Sequence, residues 1–336
     1  MKKVLVTGSA GFIGFHLTKA LLGLGYHVTG IDNLNDYYDP QLKRHRLNVL
    51  DKYVLDNNLR EKYSFVQLDI SHDAALKDLF EANLFDIVIN LAAQAGVRYS
   101  LENPKAYVDS NLVGFTNILE CCRHSKIQHL LFASSSSVYG MNSKQPFSVS
   151  DNTDYPVSLY AATKKSNELL AHSYSHLFGI PCTGLRFFTV YGPYGRPDMA
   201  YYSFTKAIDA GNPINVFNSG KMKRDFTYID DIIEGILRLI DLKPKSRSNE
   251  ITNAKSAFQI LNIGNNNPVT LRRFISAIER SVGKKAIENL LPMQAGDVPV
   301  TYADIGPLSE LCNFKPGTSI EEGIEHFVQW YRGYYL

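Results

Sequence analysis

Apolar residues in this chain gather in short runs separated by longer stretches of helical spacing. Val4–Val6, Val28–Ile31, Phe65–Leu68, Ile87–Asn90, His129–Ala133 and Cys182–Phe188 lack the alternation of a half-exposed strand, so each reads as a strand buried on both faces. Most are separated by segments of helix length: Phe12–Leu24, Ala74–Ala82, Pro104–His124 and Ser158–Phe178. Parallel strands cannot be joined by a tight turn and need a crossover, most often a helix. The alternation therefore predicts an α/β fold over 1–188, a doubly wound parallel sheet with helices on both faces. The insertion at 33–62, rich in Tyr, Asn and charge, is expected to form helix and loop over the sheet edge.

Beyond Phe188 the rhythm changes. Turn signals crowd in at Gly192-Pro193, Gly195, Pro197, Gly211-Asn212-Pro213 and Ser219-Gly220. Shorter helices are expected at Asp230–Asp241, Thr270–Ser281 and Ser319–Tyr331. This predicts a smaller mixed α/β substrate domain over 189–336, with segments near 228–264 returning to the first domain. Hydrophobic residues make up 45% of the chain, enough for a sizeable core. Lys plus Arg number 35 against 33 Asp plus Glu, and a net +2 argues against a broad nucleic-acid surface. Cys121, Cys122, Cys182 and Cys312 form no CxxC pair and read as buried thiols in a reducing compartment. No apolar stretch approaches the ~20 residues that cross a bilayer, and glycines interrupt the N-terminal run too early for a secretory signal. No membrane association is expected, and the cytoplasm is the expected address.

The first candidate chemistry lies at the end of the first strand. Gly8-Ser9-Ala10-Gly11-Phe12-Ile13-Gly14 follows it and opens a helix. Glycines there permit a tight turn and a close backbone approach to a pyrophosphate resting on the helix's positive end, the Rossmann-type fingerprint. Asp32 ends the second strand, 18 residues after Gly14, where a carboxylate can accept hydrogen bonds from ribose hydroxyls and repel a 2′-phosphate. Asn33 follows, not an arginine that could hold such a phosphate, so NAD is expected over NADP.

Four hydroxyls, Ser134 to Ser137, end the fifth strand, each needing a partner if buried. Tyr160 and Lys164 stand four apart on one helix, on the same face. A neighbouring ammonium lowers a phenol's pKa from its free value of about 10, which makes Tyr160 a candidate general base. A glycine turn, a strand-end serine cluster and Tyr-x-x-x-Lys in that order converge on catalysis.

With Asn90-Leu91-Ala92-Ala93, Asn111 and Arg186-Phe187-Phe188, these residues make the chain resemble the extended short-chain dehydrogenase/reductases, the family of nucleotide-sugar epimerases and dehydratases. The resemblance runs along nearly the whole length. It implies that Leu91, Ala92, Ala93 and Asn111 line the NAD site, that Asp69 and Ile70 meet the adenine, and that Phe188 lies near the nicotinamide. Ser135 would share a hydrogen bond with the substrate hydroxyl, with Ser136 and Ser137 beside it, and Lys164 would also hold the nicotinamide ribose. Gly96-Val97-Arg98-Tyr99-Ser100, Thr189 to Met199 and Lys221 to Phe226 resemble the uronate 4-epimerase branch. By that likeness Arg98, Thr189 and Arg196 are expected at the sugar, Arg224 at the diphosphate of a UDP-sugar and Asp297 at the uridine ribose.

Dehydratases of the family carry Thr-Asp-Glu where this chain has Ser135-Ser136-Ser137, and its decarboxylating members place a glutamate at the position of Ser137. Serine cannot deliver a proton as a carboxylic acid does, so elimination is not expected. Reversible oxidation at C4 of UDP-glucuronate is the favoured reading. A neutral UDP-hexose 4-epimerase and a non-catalytic NAD-binding sensor are the alternatives, the latter opposed by the intact Ser135, Tyr160 and Lys164. A homodimer is expected, because the family packs the helices corresponding to Pro104–His124 and Ser158–Phe178 across a two-fold axis. His172 and His176 lack a third ligand, so no metal is expected. Lys43-Arg44-His45-Arg46 reads as a solvated helix face, and the aromatic C-terminus around Trp330 as a docking end.

Overall fold

Each of the six expected runs is a strand. They are β1 (Lys3–Thr7), β2 (His27–Asp32), β3 (Tyr63–Gln67), β4 (Ile87–Asn90), β5 (His129–Ser135) and β6 (Cys182–Phe187). A strand not anticipated from the sequence, β7 (Phe258–Ile263), completes a seven-stranded sheet in the order β7-β6-β5-β4-β1-β2-β3. The β1–β2, β1–β4, β2–β3 and β4–β5 pairs are all parallel. Strand order runs outward in opposite directions from the β1–β4 pair, and Thr7 is in register with Asn90 at its carboxyl end. In such sheets the ligand crevice lies at this reversal.

The computed structural model describes residues 1–248, 255–293 and 299–335. Two units are distinguished. The first comprises Met1–Gly140, Asn152–Arg186 and Gly235–Leu261. Its core is the sheet's own apolar residues, among them Leu5, Val88, Leu130 and Phe132, under Leu76, Phe80, Phe115, Ile118 and Leu119 from the covering helices. All four cysteines are free; Cys121, Cys122 and Cys182 are buried. The expected Pro104–His124 helix is interrupted: α-helical Pro104–Tyr107 opens into a wide π-helical turn, Val108–Gly114, before Phe115–Ser125 resumes. Such turns add a residue to a helix and often mark functional sites.

The second unit comprises Met141–Asp151, Phe187–Glu234 and Asn262–Leu336. Here Thr189–Tyr191 pairs in parallel with Phe226–Tyr228, and Pro213–Phe217 with Ile287–Leu291. Phe226 stacks on Phe274 with ring centroids 4.6 Å apart, and Tyr201 meets Phe327 edge-on at 4.9 Å. Asp225 is fully buried, where its carboxylate accepts the N–H groups of Asn265, Asn266 and Ala303 at 2.6, 3.1 and 3.0 Å. Trp330 packs 5.0 Å from Tyr194 and 5.7 Å from Phe327, inside the unit's own aromatic cluster. Among the described residues no helix is long and apolar enough to cross a membrane.

Candidate functional site

Gly8 leaves β1 with φ +70°, a left-handed value that a side chain disfavours. It also lies against the chain leaving β4, for a Cβ on Gly8 would come 2.8 Å from the Ala92 nitrogen. Thr7 fixes that neighbour: its hydroxyl donates to Asn90 Oδ1 at 2.7 Å and accepts from the Ala92 N–H at 3.0 Å. Gly11 N–H closes the turn on the Gly8 carbonyl at 2.9 Å, and a Cβ on Gly14 would fall 2.1 Å from the same oxygen. The helix Phe12–Gly23 therefore starts hard against the turn, with Gly11 at its cap, no side chain capping it and no acidic residue in its first turn. A positive helix end floored by backbone alone fits the pyrophosphate of a dinucleotide.

On the β2 side, Asp32 is buried and accepts the Leu34 N–H at 2.8 Å. Asn33 Nδ2 donates to Asp69 Oδ2 at 2.7 Å, while Ser71 donates through its N–H and hydroxyl to Oδ1 at 2.8 and 2.7 Å. Burial alone would raise the Asp69 pKa, but these donors outweigh it and hold the carboxyl below its usual range. Ile70 is buried, and its carbonyl accepts from Asn117 Nδ2 at 3.0 Å. A hollow of about 680 Å³ opens beside these residues, lined by Asn33, Leu68, Asp69 and His72 among others.

The structure corrects the reading of Lys43 to Arg46 as a solvated face. Lys43 is 5% exposed and Arg46 0%, because both lie in the buried stripe of the helix Pro40–Asp56 with Leu42, Leu50 and Val54. Lys43 Nζ stands 3.6 Å from Asp32 Oδ1. The signal was the spacing, which puts both cations in register with Leu50 and Val54.

Ser135 ends β5, and its Oγ accepts both the N–H and the hydroxyl of Ser137, at 3.2 and 2.9 Å, capping the short turn Ser136–Tyr139. Tyr160 and Lys164 lie in the first half of the helix Leu159–Phe178, which Ser158 caps by accepting from Ala161 N–H. Lys164 is 2% exposed and donates through Nζ to the Ala133 carbonyl at 2.9 Å; burial lowers its pKa to about 8. The Tyr160 ring meets Tyr107 edge-on at 6.1 Å. Asn111, in the π turn, exchanges bonds with the backbone of Gln94 at 2.8 and 3.0 Å and donates to Thr163 Oγ1 at 3.0 Å. Thr163 in turn donates to the Tyr160 carbonyl at 2.8 Å. Asn111 thus ties the segment after Leu91-Ala92-Ala93 to the turn that carries Tyr160.

Sequence reasoning missed the clamp behind this group. Glu168, one turn beyond Lys164, accepts from Ser134 Oγ at 2.6 Å and from Arg186 Nε and Nη2 at 2.8 Å each. Both members of that ion pair are buried. Arg98 is exposed, at the cap of the Tyr99–Glu102 turn.

Within the second unit, Phe188 is buried 6.4 Å from Phe147. Thr189 donates its N–H to the Asp225 carbonyl at 3.2 Å. Arg196 is held at two points by Asp198, Nε to Oδ1 at 3.0 Å and Nη2 to Oδ2 at 2.5 Å, a partner the sequence reading did not supply. Arg224 Nη1 donates to the carbonyls of Lys223 and Pro299 at 3.0 and 3.2 Å. Asp297 lies outside the described residues. Among the described residues no three His, Cys, Asp or Glu side chains are grouped to hold a metal; His172 packs edge-on to Phe258 and His176 meets the Lys255 carbonyl.

Comparison with known proteins agrees with this geometry. Protein CapI of Staphylococcus aureus is 53% identical over 99% of both chains. A probable UDP-glucuronate 4-epimerase of Rhizobium meliloti is 48% identical over 98% of this chain and 96% of its own. Among solved structures, UDP-glucuronic acid 4-epimerase of Bacillus cereus, in complex with UDP-glucuronic acid and NAD, superposes with a TM-score of 0.87 at 36% identity, over 99% of this chain and 100% of that one. Residues 4–254 match the NAD dependent epimerase/dehydratase family, and the chain belongs to that family.

Proposed function

We propose that the chain is an isomerase that interconverts UDP-glucuronate and UDP-galacturonate by reversible oxidation at C4 of the sugar. The observation that carries this reading is the strand end at Ser135–Ser137, where hydroxyls bonded to one another occupy the place of an acid beside the Tyr160–Lys164 helix. Elimination needs a carboxylic acid there, whereas proton and hydride exchange need only a base and a hydroxyl.

Bound NAD supplies the acceptor and later the donor of the hydride. Gly8, Gly11, Phe12, Ile13 and Gly14 would hold its pyrophosphate, Asp32 and Asn33 its adenosine ribose, and Asp69 and Ile70 its adenine. Tyr160 takes the O4 proton, Ser135 shares it, and Lys164 keeps the phenol acidic through its charge. After the 4-keto sugar turns over, Tyr160 returns the proton and C4 is inverted.

A uronate carries its own hazard. The C4 ketone lies beta to the C6 carboxylate, the arrangement that loses carbon dioxide. A guanidinium binding that carboxylate at two points holds the C5–C6 bond out of alignment with the carbonyl. Arg196 takes this role in the proposal, with Thr189 and Arg98 as further sugar contacts and Arg224 and Asp297 at the nucleotide. Two copies pairing through the helices Phe115–Ser125 and Leu159–Phe178 belong to the same reading, supported by exposed Leu169, Leu177 and Phe178. Four free thiols fit a reducing, cytoplasmic setting.

The test is incubation of the purified protein with UDP-glucuronate, UDP-glucose and UDP-N-acetylglucosamine separately, with products resolved by chromatography. UDP-galacturonate without UDP-pentose is the expected result. Turnover of a neutral sugar with none of the uronate would overturn the proposal.

A further inference from the structure

Burying a cation is costly unless something nearby uses it. The helix Pro40–Asp56 buries two, beside the dinucleotide turn. Lys43 is accounted for by Asp32 and by Asn35 Oδ1, which accepts from it at 2.9 Å. Arg46, with no exposed surface at all, donates through Nη1 to the Ala10 carbonyl at 2.8 Å and to Tyr38 Oη at 2.7 Å. Its guanidinium also lies 5.5 Å from the centre of the Tyr38 ring.

Ala10 is within the glycine turn. Its peptide to Gly11 is held at both ends, the carbonyl by Arg46 and the Gly11 N–H by the Gly8 carbonyl. Gly11 is the cap of the helix whose N–H groups face the pyrophosphate in the reading above. The chain reaches Arg46 through a constrained bend, with Leu34 at φ +55° and its N–H on Asp32. Strain of this kind persists only where the surroundings hold it in place.

We propose that Arg46 is a positioning residue for the cofactor. Through Ala10 and Tyr38 it fixes the phosphate turn in its receiving geometry before NAD arrives, and the segment from Asn33 to Arg46 thereby sets how tightly NAD is retained. Retention matters to this chemistry because the hydride taken from one sugar must be returned to it. The inference rests on the reading of Gly8–Gly14 as the NAD turn.

The experiment is a titration of NAD into cofactor-stripped protein, by calorimetry, for the parent and for Tyr38→Phe, Arg46→Lys and Arg46→Met. The expected dissociation constants rise about threefold for Tyr38→Phe and about tenfold or more for the Arg46 variants, the range of one charge-assisted hydrogen bond. The NAD concentration giving half-maximal turnover rises by the same factors. A purely structural Arg46 would lower the melting temperature of the stripped protein and leave NAD affinity within twofold of the parent; that result overturns the proposal. If Arg46→Met does not fold, Tyr38→Phe and Arg46→Lys decide. A parent that binds no NAD would overturn the cofactor reading as well, which separates the two failures.

Discussion

A phenol in water holds its proton to about pH 10, so Tyr160 needs help to act as a base near neutrality. The help comes from Lys164, which the helix brings to the same face and the Ala133 carbonyl fixes in direction. Tyr160→Phe keeps the ring and its packing on Tyr107 and removes only the acidic hydroxyl. The expected outcome is an unchanged melting temperature, NAD still bound, and turnover of UDP-glucuronate reduced about 10²–10⁴-fold. A variant within tenfold of the parent would remove the phenol from the mechanism. Arg196→His tests the other end of the sugar. An imidazole cannot reproduce the two-point grip on a carboxylate, so UDP-pentose and carbon dioxide should appear beside UDP-galacturonate. Clean epimerisation by this variant would show that Arg196 does not protect the carboxylate.

At the scale of the element, the catalytic helix is anchored as well as placed. The buried bidentate pair Glu168–Arg186 joins it to β6, and Ser134 joins it to β5. Glu168→Gln would leave the guanidinium buried without its counter-charge, and the expected loss of stability is about 3–5 kcal/mol, read as a shift of the denaturant midpoint. A shift below about 1 kcal/mol would mean that solvent reaches the pair. Much of this architecture was legible beforehand, since strands buried on both faces announce themselves as unbroken apolar runs and the glycine turn sits directly after one. β7 was not, because Gln259 and Asn262 break its apolar run while bonding within the fold. Lys43 and Arg46 were misread for a related reason. Charge normally marks a wet face, and only the tertiary environment of Ala10, Asp32 and Tyr38 reverses that. Asp198 was passed over because its value depends on the position of Arg196, which spacing alone does not give.

For the molecule as a whole, acid sensitivity has an identifiable source in His129. The ring is 1% exposed, with one nitrogen on the Ile240 carbonyl at 3.0 Å and the other on Thr183 Oγ1 at 2.9 Å. Burial is the main cause that lowers its pKa to about 4 from 6.5. The folded state therefore resists protonation where the unfolded chain accepts it. The contribution is complete above pH 6.5, and it is lost progressively as pH falls from there towards 4, up to about 3 kcal/mol. Thermal unfolding between pH 4 and 7 should show this slope in the parent and a flatter one in His129→Gln. Parallel slopes would place the acid sensitivity elsewhere.

The wide turn at Val108–Gly114 has a consequence for how this region could change over time. Its helix must satisfy two phases at once, one that aims Asn111 at Gln94 and Thr163, and one that aims Ile118, Leu119 and Cys122 into the sheet. Deleting a single residue there would let an ordinary helix close, but would rotate everything downstream by about 100°. Either the hook or the apolar stripe would then miss its target. The supernumerary residue acts as a phase shifter, and length variation in this stretch should be far less tolerated than substitution.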